Sequence, residues 1–448
     1  MSVKSLDAKL AEIKRDRTSR AFILADAKDA DMAFGVRAPG PRTYLSARGA
    51  RPAQFSPEVW TREEFGYRNL PEFLDIIREV VHQGLVDIML MSPYVNDLLT
   101  IREGVFRDSP VTPAARANDT TDIWAARHGS YTREPARPFR TASIDHIQCG
   151  RVECDRSADD FPGANLGLYS VTWVNDVERD RLTLEAYKAF REEAERKKFR
   201  HFLEVFDPNV DSGIPPEKLG EFINDNILRT LAGVPEAGRP LFLKIVYHGP
   251  RALEELCQYD PNMVVGILGG GAGTTFDAFK LIHDAQKYGA RVALFGRKIN
   301  HAEHQLAFIE MLRLITDGRI SPEEAVRAYH GVLQARGIKP HRPLEKDLEL
   351  TDPVMSYGGG RTRSTVEVRD NPLAGGAGGS AESEARSAKS VPGTQKPAAA
   401  SASGFRPPAS AASAPTWPTR ADGSPDFARM TSAQRLAYDA WRLKRRFG

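Results

Sequence analysis

The chain has 448 residues, 62 Lys+Arg against 59 Asp+Glu, 41% of them hydrophobic and 27% charged. That is material for one large or two medium domains, and the near balance of charge excludes a basic nucleic-acid coat and an acidic solvating protein. The charge is uneven along the chain: residues 346–448 carry 15 Lys+Arg and 10 Asp+Glu, leaving 47 basic and 49 acidic residues before them, so a body near −2 is followed by a tail near +5.

Near the N-terminus, Asp7, Glu12 and Asp16 interrupt the lysines and arginines, and the apolar core of a signal peptide is missing. No run reaches the roughly 18 apolar residues of a membrane span. A soluble, cytoplasmic protein is expected. Cys149, Cys154 and Cys257 are the only cysteines. They are too few for a disulfide framework, and the first two fit no zinc-site spacing, so reduced thiols, no metal and no cofactor are expected.

Between residues 20 and 345, short apolar runs rich in β-branched residues alternate with amphipathic helical patterns, as parallel strands covered on both faces do. In chain order the strand candidates are Ala21–Ala25, Val86–Met91, a stretch near Val111–Arg116, Leu166–Thr172, His201–Phe206, Leu241–Tyr247, Met263–Leu268 and Arg291–Phe295. The last three are consecutive strand–helix units. Eight such units predict a (β/α)8 barrel over residues 1–345 rather than an open sheet. Ser321-Pro322-Glu323-Glu324 reads as a capping box opening a last helix through Ala325, Ala328, Tyr329 and Val332.

Composition changes near residue 345. From Leu373 to Thr416, 32 of 44 residues are Ala, Gly, Ser or Pro, too few apolar side chains to offset ordering entropy, so residues 346–428 are expected to be a flexible linker. Apolar side chains then return at helical spacing (Ala433, Leu436, Ala440, Leu443, Phe447), which predicts an amphipathic helix within 429–448. A helix this short is marginal alone and implies a docking surface. One reading is a peptide that docks an enzyme to a protein partner such as a microcompartment shell; the other is an anionic contact through Arg442, Lys444, Arg445 and Arg446.

In a barrel, chemistry belongs at the C-terminal strand ends, so charges inside apolar strands are informative. Lys244 interrupts Leu241–Tyr247, where desolvation would push its amine toward the neutral form that a Schiff-base lysine requires. Glu204 interrupts Phe202–Phe206 in the same manner and could relay protons for the lysine, or the two could form only a buried ion pair. Asp26, after Ala21–Ala25, is either a second catalytic carboxylate or an ordinary loop acid. Two glycine turns follow consecutive strands: Gly269, Gly270 and Gly271 run on through Ala272-Gly273-Thr274 into a helix, and Gly296-Arg297 follows the next. Backbone amides at such turns, beside an arginine, suit phosphate.

These residues in this order resemble the class I aldolases of the tagatose-bisphosphate and archaeal-type fructose-bisphosphate groups: Phe202-Leu-Glu-Val205, Leu243-Lys244, Gly269–Gly271, Phe276, Gly289-Ala290 and Gly296-Arg297. The resemblance implies a lyase whose Lys244 forms a Schiff base with a phosphorylated ketose or dihydroxyacetone phosphate. Asp26 would be the first-strand acid, Glu204 the strand-five glutamate, and Gly269, Gly270, Gly271, Gly296 and Arg297 the phosphate loops. Two positions depart from the pattern: Phe206 stands where the archaeal group has a general-acid tyrosine, and Leu166–Thr172 lacks the strand-four lysine of the tagatose-bisphosphate group. His248 and Tyr169 are the substitutes for proton transfer. The polar stretch Thr120–Pro162, with His128, Arg140, His146 and Arg151, would form a lid or a second phosphate contact. The expected partners are a sugar phosphate and further copies of the chain, with no nucleic acid. Two other functions fit the same residues: a Schiff-base transaldolase or isomerase, and a non-catalytic binding protein acting through its C-terminal helix.

Overall fold

The computed structural model describes residues 3–40, 67–157, 160–270 and 273–351, with further positions between Trp417 and Tyr438. These fall in two compact units. The larger is a closed barrel of eight parallel strands: β1 (Ile23–Lys28), β2 (Ile88–Met91), β3 (Thr112–Arg116), β4 (Leu166–Thr172), β5 (Arg200–Phe206), β6 (Leu243–Ile245), β7 (Val265–Leu268) and β8 (Val292–Phe295). Each strand pairs with its sequence neighbours, and β1 closes the ring against β8 through Ile23↔Val292 and Asp26↔Phe295. The expected (β/α)8 architecture is the one observed.

Strand alternation divides the apolar side chains into two layers. Leu24, Met89, Ala115, Tyr169, Leu203, Ile245 and Phe295 belong to the large core between sheet and helices. Ile23, Ala25, Ile88, Ala114, Leu168, Phe202, Phe242 and Leu294 fill the lumen. Helix α1 (Ser5–Arg15) spaces Leu6, Leu10 and Ile13 on one stripe, and all three are buried in that lumen cluster, so α1 plugs the floor of the barrel. Lys4, just before it, anchors the plug by donating to the carbonyls of Phe106, Ser109 and Val111 at 2.6–3.1 Å.

The covering helices begin where the sequence supplies caps. In α2 (Leu70–Gln83) Asn69 and Glu72 bond reciprocally across the first turn, and α3 (Val177–Arg196), α4 (Leu219–Ala232) and α5 (Pro250–Tyr259) follow. Thr274 and Asp277 make the same box at α6 (Thr275–Lys287). Beyond α7 (Gln305–Thr316), Ser321 and Glu324 cap α8 (Pro322–Ala335), the expected last helix. The described chain of this unit runs on to Thr351, whose backbone N–H donates to Asp277 at 2.8 Å.

Cys149 and Cys154 are joined by a disulfide, with Cα atoms 5.8 Å apart, which corrects the expectation of reduced thiols. Gly150, at φ 70°, turns the chain back after the short helix Ile144–Cys149 and brings the two residues within bridging range. Cys257 is free. The first residues of the expected linker, 346–351, pack on α6, where Asp347 accepts from Thr275 N–H at 2.8 Å; most of the rest of it lies outside the described residues, as does most of the expected C-terminal helix. In that smaller unit Ala433, Gln434, Ala437 and Tyr438 are helical, and Trp417 packs edge-on to Tyr438 at 5.1 Å. Among the described residues no helix is long and apolar enough to cross a membrane, and no cluster of His, Cys, Asp and Glu could hold a metal ion.

Candidate active site

Register places the site. Ser170 on β4 pairs with Glu204 on β5, and Glu204 with Lys244 on β6, so three polar side chains stand side by side at one level of the lumen. All three are buried. The Lys244 ammonium and a Glu204 oxygen form an ion pair, and the other Glu204 oxygen accepts from Ser170 Oγ at 2.7 Å. Burying two charges costs several kcal/mol per ion unless the remaining lone pairs are met. Here they are met by Ser170 and by Arg116.

Arg116, at the end of β3, is the centre of the polar cluster. Its guanidinium reaches Asp29 at 2.5 Å, Ser170 Oγ at 3.1 Å and Glu204 at 3.4 Å. Burial works against its charge, but Asp29, Glu204 and Asp119 around it raise its pKa above the ordinary value. Asp119 is pushed up to about 6 by burial, partly opposed by Arg116. Asp31, held by Ser92 Oγ at 2.6 Å, is likewise pushed up to about 6 by burial.

Lys244, Arg116 and Asp29 line one pocket together with Gly269, Gly270, Gly296 and Arg297. The glycine turns therefore meet the lysine. Gly270 has φ 55°, where a side chain is strained, and a Cβ on Gly269 would collide with the Phe295 ring. Lys298 ties the two turns together, donating to the carbonyls of Gly273 and Thr274 at 2.7 and 3.0 Å. Gly271 lies outside the described residues. The N-terminal amides of α6 are already taken: Thr274 N–H donates to Asp277 at 2.6 Å and Thr275 N–H to Asp347 at 2.8 Å. Two carboxylates there offset the helix dipole that the sequence suggested for phosphate. An anion in this pocket would instead meet the glycine backbone and Arg297.

Three candidates stand elsewhere. Asp26 shares a face with Leu24, not with Ala25, and its carboxylate pairs with Lys28 at 2.7 Å, both side chains being fully buried. Burial raises the Asp26 pKa and lowers that of Lys28. Asp26 therefore does not stand beside Lys244, and the acid that does share its pocket is Asp29, three residues on. The displacement follows from the strand itself, which runs from Ile23 to Lys28 instead of ending at Ala25. Tyr169 faces the helical layer, stacked at 4.4 Å on Phe190, and burial holds its phenol well above its usual pKa. His248 bonds to Asp207 at 2.9 Å just beyond β6 and is not among the side chains lining the Lys244 pocket.

From the Thr120–Pro162 stretch, Ile123 and Ala125 pack with Phe206, Val246 and Leu268 at the mouth of the lumen, and Ile123 lines the pocket. Arg140 pairs with Glu193 at 2.7 Å, and His146 is bonded to Ser143 in a helix cap. Arg116 and Asp29 are the residues that sequence reasoning missed. Arg116 carried the signal already applied to Lys244, a charge closing an apolar run.

A (β/α)8 barrel with a buried lysine–glutamate pair at the C-terminal end of its lumen is the class that fold and site define. No protein-family model and no curated protein sequence matches the chain. Among solved structures, an archaeal fructose 1,6-bisphosphate aldolase is similar at 13% identity and TM-score 0.47, over 69% of this chain and 99% of its own. An archaeal aldolase with its catalytic lysine bound to the carbinolamine intermediate is similar at 12% identity and TM-score 0.46, over 69% and 99%. Orotidine 5′-phosphate decarboxylase from Pyrococcus horikoshii is similar at 13% identity and TM-score 0.32, over 55% and 93%. Schiff-base aldolases thus stand among the structural neighbours, and the functional reading rests on the site's own geometry.

Proposed function

We propose that the barrel is a class I aldolase acting on a phosphorylated ketone. The observation that carries this reading is a buried lysine in contact with a carboxylate, in the same pocket as Arg297 and the glycine turns. Glu204 takes the ammonium proton, and the free Lys244 amine adds to the ketone carbonyl. Loss of water leaves an iminium. In the cleavage direction the β-hydroxyl gives its proton to a base, the C–C bond pair flows into the iminium, and an aldehyde departs. The resulting enamine is protonated and hydrolysed. Asp29, a carboxylate in the same pocket, takes the hydroxyl proton, since Phe206 stands where the archaeal group has a tyrosine. Arg297 and the amides of the glycine turns receive the phosphate.

The test is exchange. Dihydroxyacetone phosphate in deuterated water loses one carbon-bound proton signal when an enamine forms on the protein. Exchange by the wild type and none by Lys244→Met is the expected result. Equal exchange by both would remove Lys244 from the reaction.

A further inference from the structure

The barrel has a second cavity, at the opposite end from Lys244. It is larger, about 510 Å³, within the ~300–1,000 Å³ range of small-molecule sites. Its walls come from the end of α1, the C-terminal turns of α5 and α6, and the residues entering β7 and β8. Ile13, Met263, Val264 and Val265 supply hydrocarbon; Arg17, Lys287 and Arg291 supply positive charge, against one carboxylate, Glu254.

Arg291 is the unusual member. It is half-buried, and its guanidinium donates only to backbone carbonyls: those of Ala290 at 3.0 Å, Gln286 at 3.3 Å and Arg17 at 3.2 Å. Among the described residues no carboxylate pairs with it. Desolvation lowers its pKa, as for a cation lacking a counter-charge. Lys287 stands over the Tyr288 ring at 5.1 Å. A half-buried guanidinium bonded to carbonyls but to no carboxylate gains from an opposite charge, and the cavity beside it has room for a ligand that brings one.

We propose that this cavity binds a small amphipathic carboxylate, its aliphatic body on Ile13, Met263 and Val264 and its carboxylate on Arg291. The wall explains the choice of class. Inorganic phosphate would leave the hydrocarbon uncovered, and an uncharged aliphatic ligand would leave Arg291 uncompensated. Cys257, the free cysteine, lies in the same wall beside Gly289, where an added Cβ would come within 3.0 Å of its sulfur. Burial pushes its thiol up to about 12, so it stays protonated and adds an uncharged surface to the wall.

The experiment uses the full chain, with octanoate, octanol and inorganic phosphate as probes in titration calorimetry. Octanoate is expected to saturate in the low-millimolar range or below, at least about tenfold tighter than octanol, the margin of one charge-assisted hydrogen bond. Arg291→Gln should weaken octanoate binding by about tenfold or more. Lys244→Met should bind octanoate unchanged, so this site and the mouth of the barrel fail or succeed separately. Octanol or phosphate binding as tightly as octanoate, no saturation by octanoate, or undiminished binding by a folded Arg291→Gln would each overturn the proposal. Should Arg291→Gln not fold, the comparison of octanoate with octanol on the wild type decides alone.

Discussion

Asp26 lies within the first strand and Asp29 just past its end, and their surroundings separate their roles. Asp26→Asn leaves the wholly buried Lys28 without its carboxylate, a loss expected to cost about 3–5 kcal/mol of stability. Asp29→Asn also removes a buried partner, of Arg116, but Arg116 keeps Glu204 and Asp119 beside it, so it should cost less stability than Asp26→Asn while slowing exchange at the Lys244 pocket by about 10²-fold or more. Denaturant melts and exchange rates of the two variants check both statements; equal losses of stability would contradict the assignment. Asp31 gives a pH signature. Burial raises its pKa from 3.8 to about 6, so between pH 4 and 6 the folded state binds the proton that the unfolded state has lost. Stability contributed by this group is therefore present below pH 4 and lost as pH rises through 6. Relative to Asp31→Asn, the wild type should lose stability on the order of 3 kcal/mol between pH 4 and 7. A constant difference between the two melting curves would show that Asp31 is not buried in this way.

At the scale of elements, the floor and the mouth of the barrel are separable. Helix α1 places Leu6, Leu10 and Ile13 into the lumen layer below the polar row of Ser170, Glu204 and Lys244. Leu10→Ala removes buried hydrocarbon from this plug and should cost about 2–5 kcal/mol, read by chemical denaturation, while the rate of adduct formation at Lys244 stays within about twofold of the wild type. The mouth is built differently. Lys298 holds the carbonyls of Gly273 and Thr274, so the two glycine turns are one tied unit, and the Ile123–Ala125 segment packs on the apolar rim beside them.

For the whole molecule, what was legible in the sequence is what depends on period and on exception. Eight apolar runs alternating with amphipathic stretches gave the barrel, and Lys244 and Glu204 declared themselves as charges in strands that are otherwise apolar. Register then brings the two together. Faces were less legible, because they depend on where a strand begins and ends. Extending the first strand to Lys28 takes Asp26 away from the Lys244 pocket, and Tyr169 sits one position off the lumen face occupied by Leu168 and Ser170. The disulfide was missed because proximity of Cys149 and Cys154 is set by the turn at Gly150, which cysteine counting does not see. The carboxylates on the first amides of α6 were missed because Asp347 comes from 72 residues further along the chain.

Borohydride trapping tests the central claim most directly. The folded protein is incubated with dihydroxyacetone phosphate and a panel of ketose phosphates, reduced, digested, and mapped by peptide mass spectrometry. A single adduct on the peptide containing Lys244, absent from Lys244→Met, is the predicted result. No adduct with any phosphorylated ketone, or an adduct at another lysine, would contradict the account.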